Sequence, residues 1–122
     1  MAYLSEKYFL VRQRELYNAP PGIQGKNVRV WNIRQDNVIR INLVEMSGEL
    51  GLHQHPDAEH SLLLLEGQVR VQIDGDNVTL NQGDYISIPA GIAHKYWSLT
   101  PTSLLVSMDA PFYDPEKTIN LE

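Results

Sequence analysis

Gly51-Leu-His-Gln-His-Pro-Asp-Ala-Glu-His60 carries three of the chain's four histidines, and the fourth ends the segment Pro89-Ala-Gly-Ile-Ala-His94. Neutral imidazole is a common nitrogen ligand for zinc, copper, iron and nickel, so this clustering proposes a metal site made of His53, His55, His60 and His94. Strand geometry gives the spacing meaning. His53 and His55 are two apart, so on an extended segment both side chains point to one face. His60 opens the next strand after the Pro56-Asp-Ala turn, and His94 starts a strand much later in the chain. Closing a barrel brings such points onto one inner wall. The imidazoles could then converge at the roughly 2 Å nitrogen–metal distance seen for zinc.

The surrounding sequence reads as short strands. Val28-Arg-Val-Trp31 and Val38 to Val44 are rich in β-branched and apolar residues. Ser61-Leu-Leu-Leu-Leu65 is helix or buried strand by composition, and its brevity and the Glu66-Gly67 stop favour strand. Val69-Arg-Val-Gln-Ile73 alternates at period two, Asp74-Gly-Asp-Asn77 is a turn, and Val78-Thr-Leu80 returns as its partner. Asp84 to Ile88, His94 to Leu99 and Ser103 to Met108 follow, separated by proline-containing breaks. Ser5 to Leu16 reads as a short helix, or Tyr8 to Val11 as an edge strand, and the tail from Ala110 to Pro115 as extended or irregular. Strands at this spacing with no linker or repeat predict one all-β domain over residues 1–122.

Bulk properties narrow the function classes. A net charge of −5 argues against nucleic acid or an anionic membrane as the main partner. The absence of cysteine removes disulfides, thiolate nucleophiles and cysteine-based metal centres. The first residues lack a basic start followed by an apolar stretch, and Leu62 to Leu65 is too short to span a bilayer. A cytoplasmic protein is the expectation, and the Asn77-Val-Thr79 sequon is read as chance. No phosphate-cradling glycine loop, nucleophile elbow, basic aromatic patch or helix-turn-helix competes with the histidines.

Two motifs give the chain a resemblance. Ser47-Gly48, His53-Gln-His55, Pro56 to Glu59, His60 and Ser61 to Gly67 follow the first motif of the cupin superfamily. Gly83, Pro89-Ala-Gly91, His94 and Ser98 follow the second, with fifteen residues between Gly67 and Gly83. The chain therefore resembles a small single-domain cupin, with core motifs over 47–67 and 83–98. The resemblance implies the double-stranded β-helix, a jelly-roll barrel. It departs from the pattern at Ser47 in the first glycine slot, at Ser98 in place of asparagine, which is expected to loosen that loop, and at His60, where the family usually carries glutamate. Glu59 is the competing residue. Taking it as the inward side chain would put one residue too many before Gly67 and turn the following strand inside out, so His60 is assigned inward.

An all-histidine donor set leaves a divalent ion its full charge toward an anionic substrate or water. The resemblance favours iron or manganese, while nickel, copper and zinc also tolerate imidazole. Tyr96 and Ser98 follow His94 at period two and share its face; Tyr96 is a candidate proton donor or substrate contact, or a core-filling ring. Arg40 and Asn42 share a face of an early strand. If that face is interior, Arg40 clamps a substrate anion; if not, it is a solvated side chain. Gly67, Gly83, Pro89 and Gly91 read as turn-formers. Trp97 and Leu99 should face outward, suiting a homodimer contact to which Leu62 to Leu65 could contribute. The expected function is a metal-dependent small-molecule enzyme with dioxygenase-type chemistry on a chelating oxygen-bearing substrate. The alternatives are a metal-dependent isomerase of a sugar or sugar acid, and a non-catalytic cupin that binds a sugar or other small ligand.

Overall fold

A computed structural model describes residues 2–4, 7–54, 58–110 and 119–120. The strands in chain order are β1 (Ala2–Leu4), β2 (Phe9–Val11), β3 (Ile23–Gln24), β4 (Val28–Gln35), β5 (Arg40–Met46), β6 (Glu49–Gln54) and β7 (Glu59–Glu66). They continue with β8 (Val69–Ile73), β9 (Asp76–Leu80), β10 (Tyr85–Ile88), β11 (His94–Ser98), β12 (Ser103–Ala110) and β13 (Ile119–Asn120). One short helix, α1 (Gln13–Tyr17), lies between β2 and β3. Both readings of the N-terminal stretch thus hold in part, since Phe9–Val11 is strand and Gln13–Tyr17 is helix.

The strands form a six-stranded sheet in the order β10-β7-β12-β5-β4-β3 and a five-stranded sheet in the order β13-β6-β11-β8-β9, with β1 and β2 paired separately. Every pairing is antiparallel. Alternation decides what each face holds. Val44, Met46, Leu62, Leu64, Ile88 and Leu105 from the larger sheet pack with Val69, Val71, Leu80 and Tyr96 from the smaller one, which closes the two sheets into the jelly-roll core. The opposite face of the larger sheet carries a second cluster, in which Leu16 of α1 packs against Trp31, Leu43 and Leu104.

Hydrogen bonds pin the N-terminal segment to that outer face. The Trp31 indole donates to the Ala19 carbonyl (2.8 Å), and the Tyr17 hydroxyl donates to Glu45 Oε2 (2.5 Å). Arg29 donates to Glu45 Oε1 from Nε (2.8 Å) and from Nη2 (2.6 Å), and its guanidinium lies over the Tyr17 and Trp31 rings. The β8–β9 hairpin turns on Asp74 and Gly75, both at positive φ (47° and 90°), the backbone a two-residue hairpin with matching twist requires.

Candidate metal centre and its cleft

Three strands of the larger sheet lie side by side as β7-β12-β5, and their cross-strand rows change character along the barrel. Leu64, Leu105 and Val44 form an apolar row, and Leu62, Ser107 and Asn42 form a mixed one. His60, Asp109 and Arg40 form a polar row. Each inner face therefore runs from hydrocarbon at one end to titratable groups at the other. Val28, Val30, Val44, Leu50 and Ile23 provide apolar walls for a cleft of about 180 Å³ at the polar end, and His60, Tyr96, Arg40, Asn42, Ser107 and Asp109 complete it.

His60 is buried, whereas Glu59 is exposed and its carboxylate accepts from the Ser87 hydroxyl. The inward member of that pair is thus His60. His94 is also buried and lies opposite His53 on β6 in the smaller sheet. The His60 and His94 rings stack 5.0 Å apart at an interplanar angle of 7°. The side chain of His53 and the whole of His55 lie outside the described residues, so the structure brings together two of the four expected ligands and places the backbone of a third. Among the described residues, no group of three or more His, Asp or Glu side chains is arranged to hold a metal ion.

The donor chemistry of the two described histidines nevertheless fits a metal. His94 Nδ1 lies 3.1 Å from the Ile92 carbonyl, which can only accept, so Nδ1 carries a proton and in the neutral ring the lone pair falls on Nε2. His60 Nδ1 lies 2.7 Å from Asp109 Oδ1, and an ionised carboxylate imposes the same tautomer there. Imidazoles that ligate metals typically have their second nitrogen held by a carboxylate or carbonyl in this way.

Tyr96 lies between the core and the cleft. It packs in the apolar core, and its ring lies 6.2 Å from that of His60 and 6.4 Å from that of His94 at the edge of the cleft. Arg40 lines the cleft, so its strand face is the interior one there. The Asn42 amide, in the orientation that satisfies both its ends, accepts from Arg40 Nε at 3.1 Å and donates to the Ile41 carbonyl at 3.3 Å. Ser98 does not loosen its loop: its hydroxyl donates to the Thr100 carbonyl (2.7 Å) and lies 2.6 Å from the Ser103 hydroxyl. Gly67 lets the Ser103 and Thr100 hydroxyls approach the same turn.

Asp109 and Ser107 are the site residues that the sequence reading passes over. The signal for them is the alternation Ser103, Leu105, Ser107, Asp109 along β12, all buried. The strand runs two residues beyond Met108, and the nearby Pro111 conceals that extension.

A cupin domain model matches residues 42–108, which include both motifs. The chain is 38% identical over 69 residues to a quercetin 2,3-dioxygenase of Bacillus subtilis, a match covering 53% of this chain and 20% of that one. It is 29% identical over 73 residues to the uncharacterized protein YdbB of the same organism, covering 59% of this chain and 65% of that one. The matched stretch thus spans less than two thirds of either relative's own length. Among solved structures, KdgF from Halomonas sp. is similar with a TM-score of 0.70 at 20% identity, over 75% of this chain and 86% of that one. A Streptomyces nucleoside dehydratase reaches a TM-score of 0.74 at 12% identity, over 82% of each chain. At such identities these structures share the fold alone. With the two motifs, the jelly-roll sheets and the matching domain model in agreement, the chain belongs to the cupin family.

Proposed function

We propose that this cupin is a metal-dependent enzyme acting on a small oxygen-bearing substrate that chelates an ion held by His53, His55, His60 and His94. The observation that carries this reading is the stacked His60–His94 pair, each ring with Nδ1 engaged, at the wall of a cleft that also holds Arg40 and Tyr96. A divalent ion held there would supply Lewis acidity toward the substrate's oxygens. Iron or manganese is the proposed metal. The side chains do the rest. Arg40 offers a carboxylate a planar set of N–H donors, the Tyr96 hydroxyl can exchange a proton with bound substrate, and Val28, Val30 and Val44 offer hydrocarbon to its apolar part.

Dioxygenase-type cleavage is the leading reaction. It is supported by a donor set without a ligand carboxylate and by the likeness to a protein named as a dioxygenase. Isomerisation of a sugar acid is the second reading, favoured by Tyr96 and Asp109 in one cleft, since both can move protons. The test is oxygen uptake by iron(II)- or manganese(II)-loaded protein offered diketones and hydroxy acids, with a sugar-acid panel followed by NMR under nitrogen. Substrate-dependent oxygen uptake supports the first reaction, and anaerobic conversion supports the second. Turnover in neither arm leaves a non-catalytic binding cupin and removes the enzyme proposal.

A homodimer belongs to the same reading, and of the two expected contributors the Leu62 to Leu65 strand offers the more apolar outer surface. The Trp97 side carries the Lys95–Glu49 ion pair and the Arg70 guanidinium over the Trp97 ring, so it is lined by charge. The outer face of the larger sheet instead exposes Leu63 and Tyr85 beside an apolar hollow also lined by Ile41, Val106 and Met108. It continues the surface that α1 covers elsewhere.

A further inference from the structure

We infer that Asp109 is a positioning residue, fixing His60 as its Nδ1–H tautomer and so making Nε2 the ring's donor atom. This rests on the reading of His60 as a metal ligand. His60 and Asp109 are 5% and 4% exposed, which leaves the ring little access to solvent partners that could compete with the carboxylate. They are direct cross-strand partners of β7 and β12, so the sheet itself sets the 2.7 Å contact. On the other side of β12, Arg40 is the cross-strand partner of Asp109, placing a cation in the same row.

Free histidine in water favours the opposite tautomer, with the proton on Nε2. The fold must therefore hold each imidazole in its less common form. His94 is held by a backbone carbonyl, which no substitution removes. His60 is held by a side chain, and its tautomer is therefore under genetic control. Asp109 thereby places its carboxylate charge one hydrogen bond behind the ligand, without joining the donor set. The family glutamate replaced by His60 would place that charge on the ion directly. In this chain it lies one ring further out.

The full chain labelled with nitrogen-15 histidine gives four imidazoles to resolve, and His60→Ala assigns the signal of interest. Long-range nitrogen–proton correlation at pH 8 should show His60 as Nδ1–H in the metal-free protein. Asp109→Ala should convert it to Nε2–H, and Asp109→Asn, which keeps an acceptor oxygen, should preserve Nδ1–H. Asp109→Leu fills the site with hydrocarbon and replaces the alanine variant if that one fails to fold. In manganese(II) titrations followed by the EPR signal of the free ion, Asp109→Ala should weaken binding about 10- to 100-fold. Asp109→Asn should lose less. A folded alanine or leucine variant that retains Nδ1–H at His60 overturns the inference. If His60→Ala leaves manganese affinity unchanged, the metal-ligand reading of His60 fails, while the tautomer result still judges Asp109 separately.

Discussion

A methyl group built on Gly67 would lie 2.5 Å from the Ser103 hydroxyl, 2.7 Å from that of Thr100 and 2.9 Å from the Thr102 carbonyl, at a φ of 93°. Two costs combine there, left-handed backbone for an L-residue and overpacking of a turn tied by hydroxyls. Gly67→Ala should destabilise the fold by roughly 2–4 kcal/mol in urea unfolding. A loss under 0.5 kcal/mol, the usual range for a surface change, would show that the turn can give way. Glu45 makes a pH-dependent prediction. Burial alone would raise its carboxyl, yet the Tyr17 hydroxyl and the Arg29 guanidinium outweigh that and hold it below its ordinary value. A depressed folded value means that the stabilisation is complete above the unfolded pKa of about 4.3 and is lost as pH falls through the folded value. The advantage of wild type over Glu45→Gln should therefore be full near neutrality and vanish in acid, as thermal melts across that range would show. At the proposed centre, His60→Ala should weaken manganese binding at least tenfold and Glu59→Ala should leave it unchanged, on the scale that partners of metal ligands show. The reverse order in calorimetry would put the strand register at fault.

At the scale of elements, Trp31 joins β4 to the N-terminal segment. Its ring is 1% exposed, packs with Leu16, Leu43 and Leu104, and carries the Arg29 guanidinium 5.1 Å from its centroid. Trp31→Ala should cost about 3–5 kcal/mol, as large-to-small changes of buried aromatic residues do. Limited proteolysis should then cut first between residues 12 and 22, and an unaltered cleavage pattern would show that α1 is held by other means. Strands β8 and β11 are legible in the sequence because a drier and a wetter face leave a period-two record. The motif glycines are legible for a related reason, since Gly67, Gly83 and Gly91 all take positive φ. The end of β12 is harder to read. Asp109 looks like a strand terminator two residues before a proline, and only pairing with β5 and β7 shows that it continues the inward series of Ser103, Leu105 and Ser107. Arg40 is ambiguous for the same kind of reason, because alternation says which residues share a face but not which face meets the other sheet.

For the molecule as a whole, the histidine spacing carries the family and the position of the centre, while the partners around it come from strand order. Nothing in the linear chain sets His60, Asp109 and Arg40 in one row; that takes β12 lying between β7 and β5. Sedimentation velocity should find a dimer, and Leu63→Glu should yield a monomer by placing charge on the apolar outer face. A wild-type monomer at tens of micromolar would remove the homodimer from the proposal. The same strand order divides labour within the barrel. Rows of leucine and valine supply the cohesion, whereas the His60–Asp109 contact holds polar groups away from water, an arrangement that hydrocarbon of equal volume often matches or exceeds in stability. Replacing both together, as His60→Leu with Asp109→Leu, should therefore leave the melting temperature unchanged or raise it while abolishing manganese binding. The barrel then becomes a scaffold whose chemistry can be erased, and by the same logic rewritten, without threatening its existence: a protein that can lose its trade and keep its shape.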